Sequence, residues 1–303
     1  MEAILTKTAT FILIILLGYL LKRLGILKRE DSGIVSKLIM NLTLPCALLT
    51  SSKDIQINGI TLILIAFALF INIFAFYFGV LSSRGQATKV ERAVSALNIS
   101  GFNIGNFAIP FVQSFYNSSC IGYICMFDLG NAVCGFGLIY FLSSLYVRND
   151  SRFDVRELVD KLLKSVPFMT YIFIVILSLL KLQLPAFLQV TVSTVGDANV
   201  FLSMILIGLL LEFHTGHGES KNVVRILVLR VACAVLGTVI AFLLPIPHYA
   251  KVMLLFCMFT PTTSITPIYC LKHGYDGATP AVVSTLSMIT SIVIYVFLLL
   301  IFK

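Results

Sequence analysis

A chain of 303 residues that is 58% hydrophobic and only 12% charged has too little polar surface to fold as a soluble domain, where about a quarter of residues are charged. Composition therefore points to a chain that crosses a lipid bilayer many times, with the bilayer as its first partner. The net charge of +8 calls for no nucleic-acid partner, because the basic residues sort by membrane side.

The first apolar run, Ile4 to Leu21, is long enough to span and lacks a small-residue cleavage motif, so it reads as a membrane helix and not a cleaved signal. Further runs lie near 33–51, 58–82, 88–115, 119–147, 166–183, 187–211, 222–245, 249–271 and 279–302. Together they predict an all-α polytopic membrane protein with ten transmembrane helices. Fifteen Lys and Arg, from Lys22 to Lys272, fall in alternate loops on one side; Lys7, Lys53, Lys181, Lys251 and Lys303 fall on the other. By the positive-inside rule, both termini are expected outside a multi-pass cell-membrane protein. The longest polar connection, 148–165, divides the chain into five-span halves, 1–147 and 166–303. An odd number of spans per half means that structural repeats would be inverted. Within the connection, Phe153, Val155, Leu158, Val159, Leu162 and Leu163 suggest a short amphipathic helix at the membrane surface.

Two spans are interrupted at their middle, by Asn98-Ile-Ser-Gly-Phe-Asn-Ile-Gly-Asn-Phe-Ala-Ile-Pro110 and by Thr260-Pro-Thr-Thr-Ser-Ile-Thr-Pro267. Unwound chain at that depth survives only inside protein or beside a water-filled cavity. A matched pair of such spans, each the fourth of its half, is the sequence pointer to a secondary transporter's binding site. Gly101 and Gly105 let the first segment leave helical dihedrals. Asn98, Asn103 and Asn106 supply amides there, while Thr263, Ser264 and Thr266 supply hydroxyls in the second. Asn106 is a candidate N-cap for the half-helix carrying Pro110, and Thr266 an N-cap ahead of Pro267. Facing half-helix N-termini would suit an anion such as a carboxylate. The plainer reading of each break is a proline kink; two in register favour the site.

In the second span Asn41 precedes Pro45, which reads first as a kink, with Asn41 as a cavity wall the functional alternative. Asp128 and Asp197 stand deep in spans five and seven and are candidate proton-coupling groups, packing acids being the alternative. Arg230, deep in span eight, needs a partner, and pairing with Asp128 in one conformational state is one expectation. His214 and His217 beside Glu212 lack a metalloenzyme pattern, so no metal or cofactor is expected. Seven cysteines sit in apolar runs without ligand spacing and read as packing residues. Buried Ser/His, GxGD and DDxxD arrangements are missing from the sequence, which argues against an intramembrane enzyme.

Several stretches resemble the auxin efflux carrier family, both its bacterial members and the plant exporters. The clearest are Gly18-Tyr-Leu-Leu-Lys-Arg-Leu-Gly-Ile26, Asn41-Leu-Thr-Leu-Pro-Cys-Ala-Leu48 and Asn103-Ile-Gly-Asn-Phe-Ala-Ile-Pro110. Gly196-Asp-Ala with Gly208, and Pro261 through Gly274-Tyr-Asp276 to Ser284-Thr285, add looser support. The resemblance implies two inverted five-helix repeats in which helices 4 and 9 unwind and cross. It also implies a scaffold of helices 1, 2, 6 and 7 around which the others move, a homodimer through helices 2 and 7, and organic-anion substrates. Asn103, Pro110 and the prolines of span nine match the family's break residues. One departure is Ala108 where relatives usually carry glycine, which would narrow the cavity by a methyl. Sequence thus leads to a secondary carrier of a small organic anion, with a sodium-coupled symporter of bile-acid-transporter-like architecture as the alternative. Substrate residues would be Asn41, Asn103, Asn106, Pro110, Thr263, Ser264, Thr266 and Pro267.

Overall fold

The computed structural model describes residues 2–51, 58–85, 88–148, 154–212 and 220–303. Among these residues the chain forms helices and no strands, the form in which a segment satisfies its own backbone in lipid. The first helix, α1, covers Glu2–Arg23. The second span comprises α2 (Ser32–Leu38), a π-helical turn (Ile39–Thr43) and α3 (Leu44–Thr50). Next come α4 (Gly59–Ser82), α5 (Lys89–Ile99), a π-helical turn (Ile104–Ala108) and α6 (Ile109–Phe115). After them run α7 (Ser118–Val133), a third π-helical turn (Cys134–Leu138), α8 (Ile139–Arg148), α9 (Val155–Lys164) and α10 (Val166–Leu180). The chain ends with α11 (Ala186–Leu210), α12 (Ser220–Leu243), α13 (His248–Met258), α14 (Thr266–Lys272) and α15 (Thr279–Phe302).

Seven described helices are long and apolar enough to cross a membrane, or eight if α9 and α10, bent by 80°, form one span. The fourth and ninth expected spans are each divided into two short helices. Proline explains part of this. Pro45 and Pro110 each lie just past a π-helical turn, where a residue without an N–H drops one rung and the ladder widens to absorb the register change. Polar start signals set the other ends. Thr88 Oγ1 accepts from Glu91 N at 3.1 Å while Glu91 Oε2 accepts from Thr88 N at 2.9 Å, a reciprocal cap. Asn117 Oδ1 accepts from Cys120 N at 3.2 Å to open α7.

The helices pack in two groups. α11 lies against α1 and α3, and α10 against α3; α4 lies against α5 and α7, and α12 against α13 and α15. Contact between α1 and α11 is close: a methyl at Gly208 would fall 2.2 Å from Ile15 O, so only glycine permits it. The 148–165 connection yields α9, capped by Asp154 Oδ1 from Glu157 N at 3.0 Å. Leu158 and Leu162 are buried, with Leu158 seated over Gly137, while Val155, Val159 and Leu163 stay exposed. Phe153, the first of the expected apolar stripe, lies outside the described residues, as do His214 and His217.

Candidate functional site: the cavity at the crossing of two broken spans

Both broken segments are extended where they meet. After α5, Ser100 takes ψ 167 and Gly101 a left-handed φ of 79°. Asn103 N then donates to Pro261 O at 3.1 Å, joining the two segments through their backbones. Thr262 N donates to Ser287 Oγ at 3.2 Å, and Thr262 and Thr266 hydroxyls lie 3.2 Å apart. Neither expected cap forms. The N-cap position before the π-helical turn at Ile104–Ala108 is Asn103, without a side-chain cap, and Thr266 is already the first residue of α14, with Pro267 second. Threonine is buried there because its hydroxyl faces Thr262 and reaches toward Leu97 O at 3.5 Å.

A cavity of about 240 Å³ opens beside this crossing. Asn103, Asn106, Thr263, Ser264 and Asp128 line it, so five of the sequence candidates come together. Others stand apart. Pro110 is buried in α6, Thr266 and Pro267 lie behind the cavity wall, and Ala108 is fully buried, so its extra methyl does not narrow the space. Asn41 is exposed and donates to Lys37 O at 2.9 Å, while Ser36 and Met40 supply that wall instead. Asp197 is exposed on α11, beyond the cavity. A larger space of about 340 Å³, between Leu49, Leu182–Leu184 and α11, shares no residue with the breaks and has no charged lining.

The asparagines divide by use. Asn98 Nδ2 donates to Val94 O at 2.8 Å, inside its own helix. Asn72 Oδ1 accepts from Gly101 N at 3.2 Å, and its Nδ2 donates to Asn131 Oδ1 at 3.2 Å. Asn131 Nδ2 in turn donates to Phe102 O and to Asp128 Oδ1, each at 2.9 Å. Asn72 and Asn131 hold the break in shape, while Asn98 leaves its Oδ1 buried and without a partner among the described residues. Asn103 and Asn106 differ: among the described residues neither side chain has a hydrogen-bond partner, and Asn106 Oδ1 is buried. A buried amide oxygen costs free energy until something satisfies it.

Asp128 is 9% exposed and accepts from Tyr171 Oη at 2.6 Å through its second oxygen. That bond joins α7 to α10, and so one packing group to the other. The expected pair with Arg230 is not formed, because Arg230 is held by backbone carbonyls at 2.9–3.0 Å. Sequence reasoning missed Phe102, Asn131, Phe136, Phe168 and Tyr171, which all line the cavity. Asn131, three residues after Asp128, shares its helix face and could have been found from that spacing; nothing local marks Tyr171.

A multi-pass helical bundle with a polar, aromatic-lined cavity at a broken-helix crossing is the arrangement in which membrane transporters build their binding sites. Residues 3–149 match the family model described as membrane transport protein, the auxin efflux carrier type, which is the family that the motifs resemble. No curated protein matches the chain.

Proposed function

We propose that the protein is a secondary active carrier that moves a small organic anion, a carboxylate with an apolar body, across the cell membrane by alternating access. The observation that carries this reading is the pair of amides, Asn103 and Asn106, which line the cavity and whose N–H groups have no protein partner among the described residues. Amide N–H groups and the first-turn backbone of the half-helix beginning at Ile104 suit a carboxylate. Phe102, Phe136, Phe168 and Tyr171 suit its apolar remainder. Volume supports a small ligand: an apolar cavity of about 150 Å³ holds benzene, so this one has room for a ring plus a carboxylate.

In this reading the chain has ten spans, counting the two broken ones and α10, in two inverted repeats over 1–147 and 166–303, joined by 148–165. α1, α2–α3, α10 and α11 form the scaffold, and the remaining spans move against it. The cavity reaches Ser165 and Pro167 at the start of α10, next to the long basic loop, which fits an inward-open state. Asn41 and Asp197 are exposed on adjacent elements of the scaffold. A carboxylate facing lipid at depth is costly, and a second copy packed on this face as a homodimer would remove that cost.

The direct test is uptake into proteoliposomes of labelled mono- and dicarboxylates and indole-3-acetate. Saturable, counterflow-competent uptake of at least one is expected; linear, unsaturable flux would replace the carrier with a channel. Asp128 is assigned proton coupling, with Tyr171 fastening it in the inward state. Asp128→Asn should lower proton-driven accumulation by about tenfold, within the range of coupled sites, and flatten its pH dependence. Tyr171→Phe should keep the pH dependence and change only the rate. An unaltered pH profile in Asp128→Asn removes the residue from coupling. Orientation has its own check, in a background freed of native cysteines. Cysteines at Ser118 and His248 should react with an impermeant thiol reagent added outside, and cysteines at Gln86 and Asn149, outside the described residues, should not. The reverse pattern inverts the topology.

A further inference from the structure

Arg230 lies near the middle of α12 and is 6% exposed. Nη1 donates to Asn98 O at 3.0 Å and to Ile99 O at 2.9 Å, and Nη2 donates to Gly101 O and Thr260 O, each at 2.9 Å. Asn98 and Ile99 are the last two residues of α5, Gly101 lies in the first break, and Thr260 follows α13 in the second. The first two are carbonyls that a helix end leaves without intrahelical donors and the other two belong to unwound chain, all beside the negative ends of two helix dipoles. Four such oxygens converging at mid-span are a cage for a cation. Half-helix C-termini and unwound carbonyls are what carriers with broken helices offer to a sodium ion. Here a guanidinium of the chain itself fills the cage. Phe102 stands between that charge and the cavity, with Arg230 Cζ 5.6 Å from its ring centroid.

We propose that Arg230 is the resident cation of the crossing, occupying the position where a coupling metal ion would otherwise bind. Guanidinium suits the task because its planar fork directs donors to four oxygens at once and does not lose its charge in proteins. The tethered cation does two things. It ties the ends of both broken segments together in every state, and it leaves a fixed positive charge behind Phe102 that favours an anion in the cavity. Sodium therefore has no place at the crossing, which separates this chain from a sodium-coupled symporter. The assignment stands on the carbonyl geometry and survives even if the substrate is not a carboxylate.

The test is thermal unfolding of the purified, substrate-free protein, which does not depend on transport. Wild type should melt at the same temperature in sodium chloride and in choline chloride of equal ionic strength. A rise of several degrees specific to sodium would mean an open metal site at the crossing or elsewhere and would overturn the proposal. Arg230→Ala should lower the melting temperature by about 5 °C or more, through four carbonyls left unpaired. Millimolar guanidinium should restore part of that loss in Arg230→Ala and nothing in wild type, while urea, its neutral isostere, should restore none. Equal recovery with urea, or no recovery with guanidinium, would reduce Arg230 to a hydrogen-bonding strut and refute the resident charge. Should Arg230→Ala fail to fold, the sodium comparison on wild type and the same measurement on Arg230→Lys, which keeps charge but loses the fork, decide the matter.

Discussion

Replacing Asn103 by alanine is expected to lower transport by about 10- to 100-fold, the worth of one hydrogen bond to a charged group at 1.5–3 kcal/mol, while moving the melting temperature by no more than about 1 °C. The separation of the two effects follows from geometry. Asn103 belongs to the crossing through its backbone, since its N–H donates to Pro261 O at 3.1 Å, and alanine keeps that bond. Its side chain lines the cavity and has no protein partner among the described residues, so the folded protein loses little when it is removed. Asn131 is the contrast. Its amide donates to Phe102 O and Asp128 Oδ1, and alanine there should lower stability and transport together. Uptake and thermal unfolding of both variants check the pair. Normal uptake by Asn103→Ala would move the substrate away from the break.

Gly101→Ala is expected to cost the folded protein about 2–3 kcal/mol, a drop of several degrees in melting temperature, and to abolish transport with it. Two penalties meet at one residue. Gly101 has φ 79°, where an L-residue pays about 1–2 kcal/mol. An added Cβ would also lie 2.8 Å from Thr263 Cγ2 across the crossing. Relief of either strain would displace Gly101 N from Asn72 Oδ1 and Gly101 O from Arg230 Nη2, so both supports of the break loosen together. Combining it with Thr263→Ser, which removes that Cγ2, should recover the steric part and leave the backbone part. Unfolding of the single and double variants separates the two contributions. Full recovery in the double variant would show that the left-handed conformation is not required.

Class, helicity and the place of the two breaks were legible in the residues because each rests on local chemistry. Lipid forces every span to pair its own backbone, so apolar run lengths reported the helices, and clustered Gly, Asn, Thr and Pro at 98–110 and 260–267 reported where pairing fails. Residues 3–149 match the family model to which those motifs pointed. What the side chains at the break do was decided elsewhere in the chain. Asn98, Asn103 and Asn106 look alike in sequence, yet Val94 O takes up the first while the other two face the cavity. Arg230 invited a carboxylate partner from composition alone, but the breaks release four carbonyls beside it and these accept its donors first. Asp128 likewise meets Tyr171, 43 positions away, and not the arginine at similar depth. Partner choice in a membrane interior depends on which polar groups the backbone leaves unpaired nearby, and the folded arrangement of the helices alone sets that.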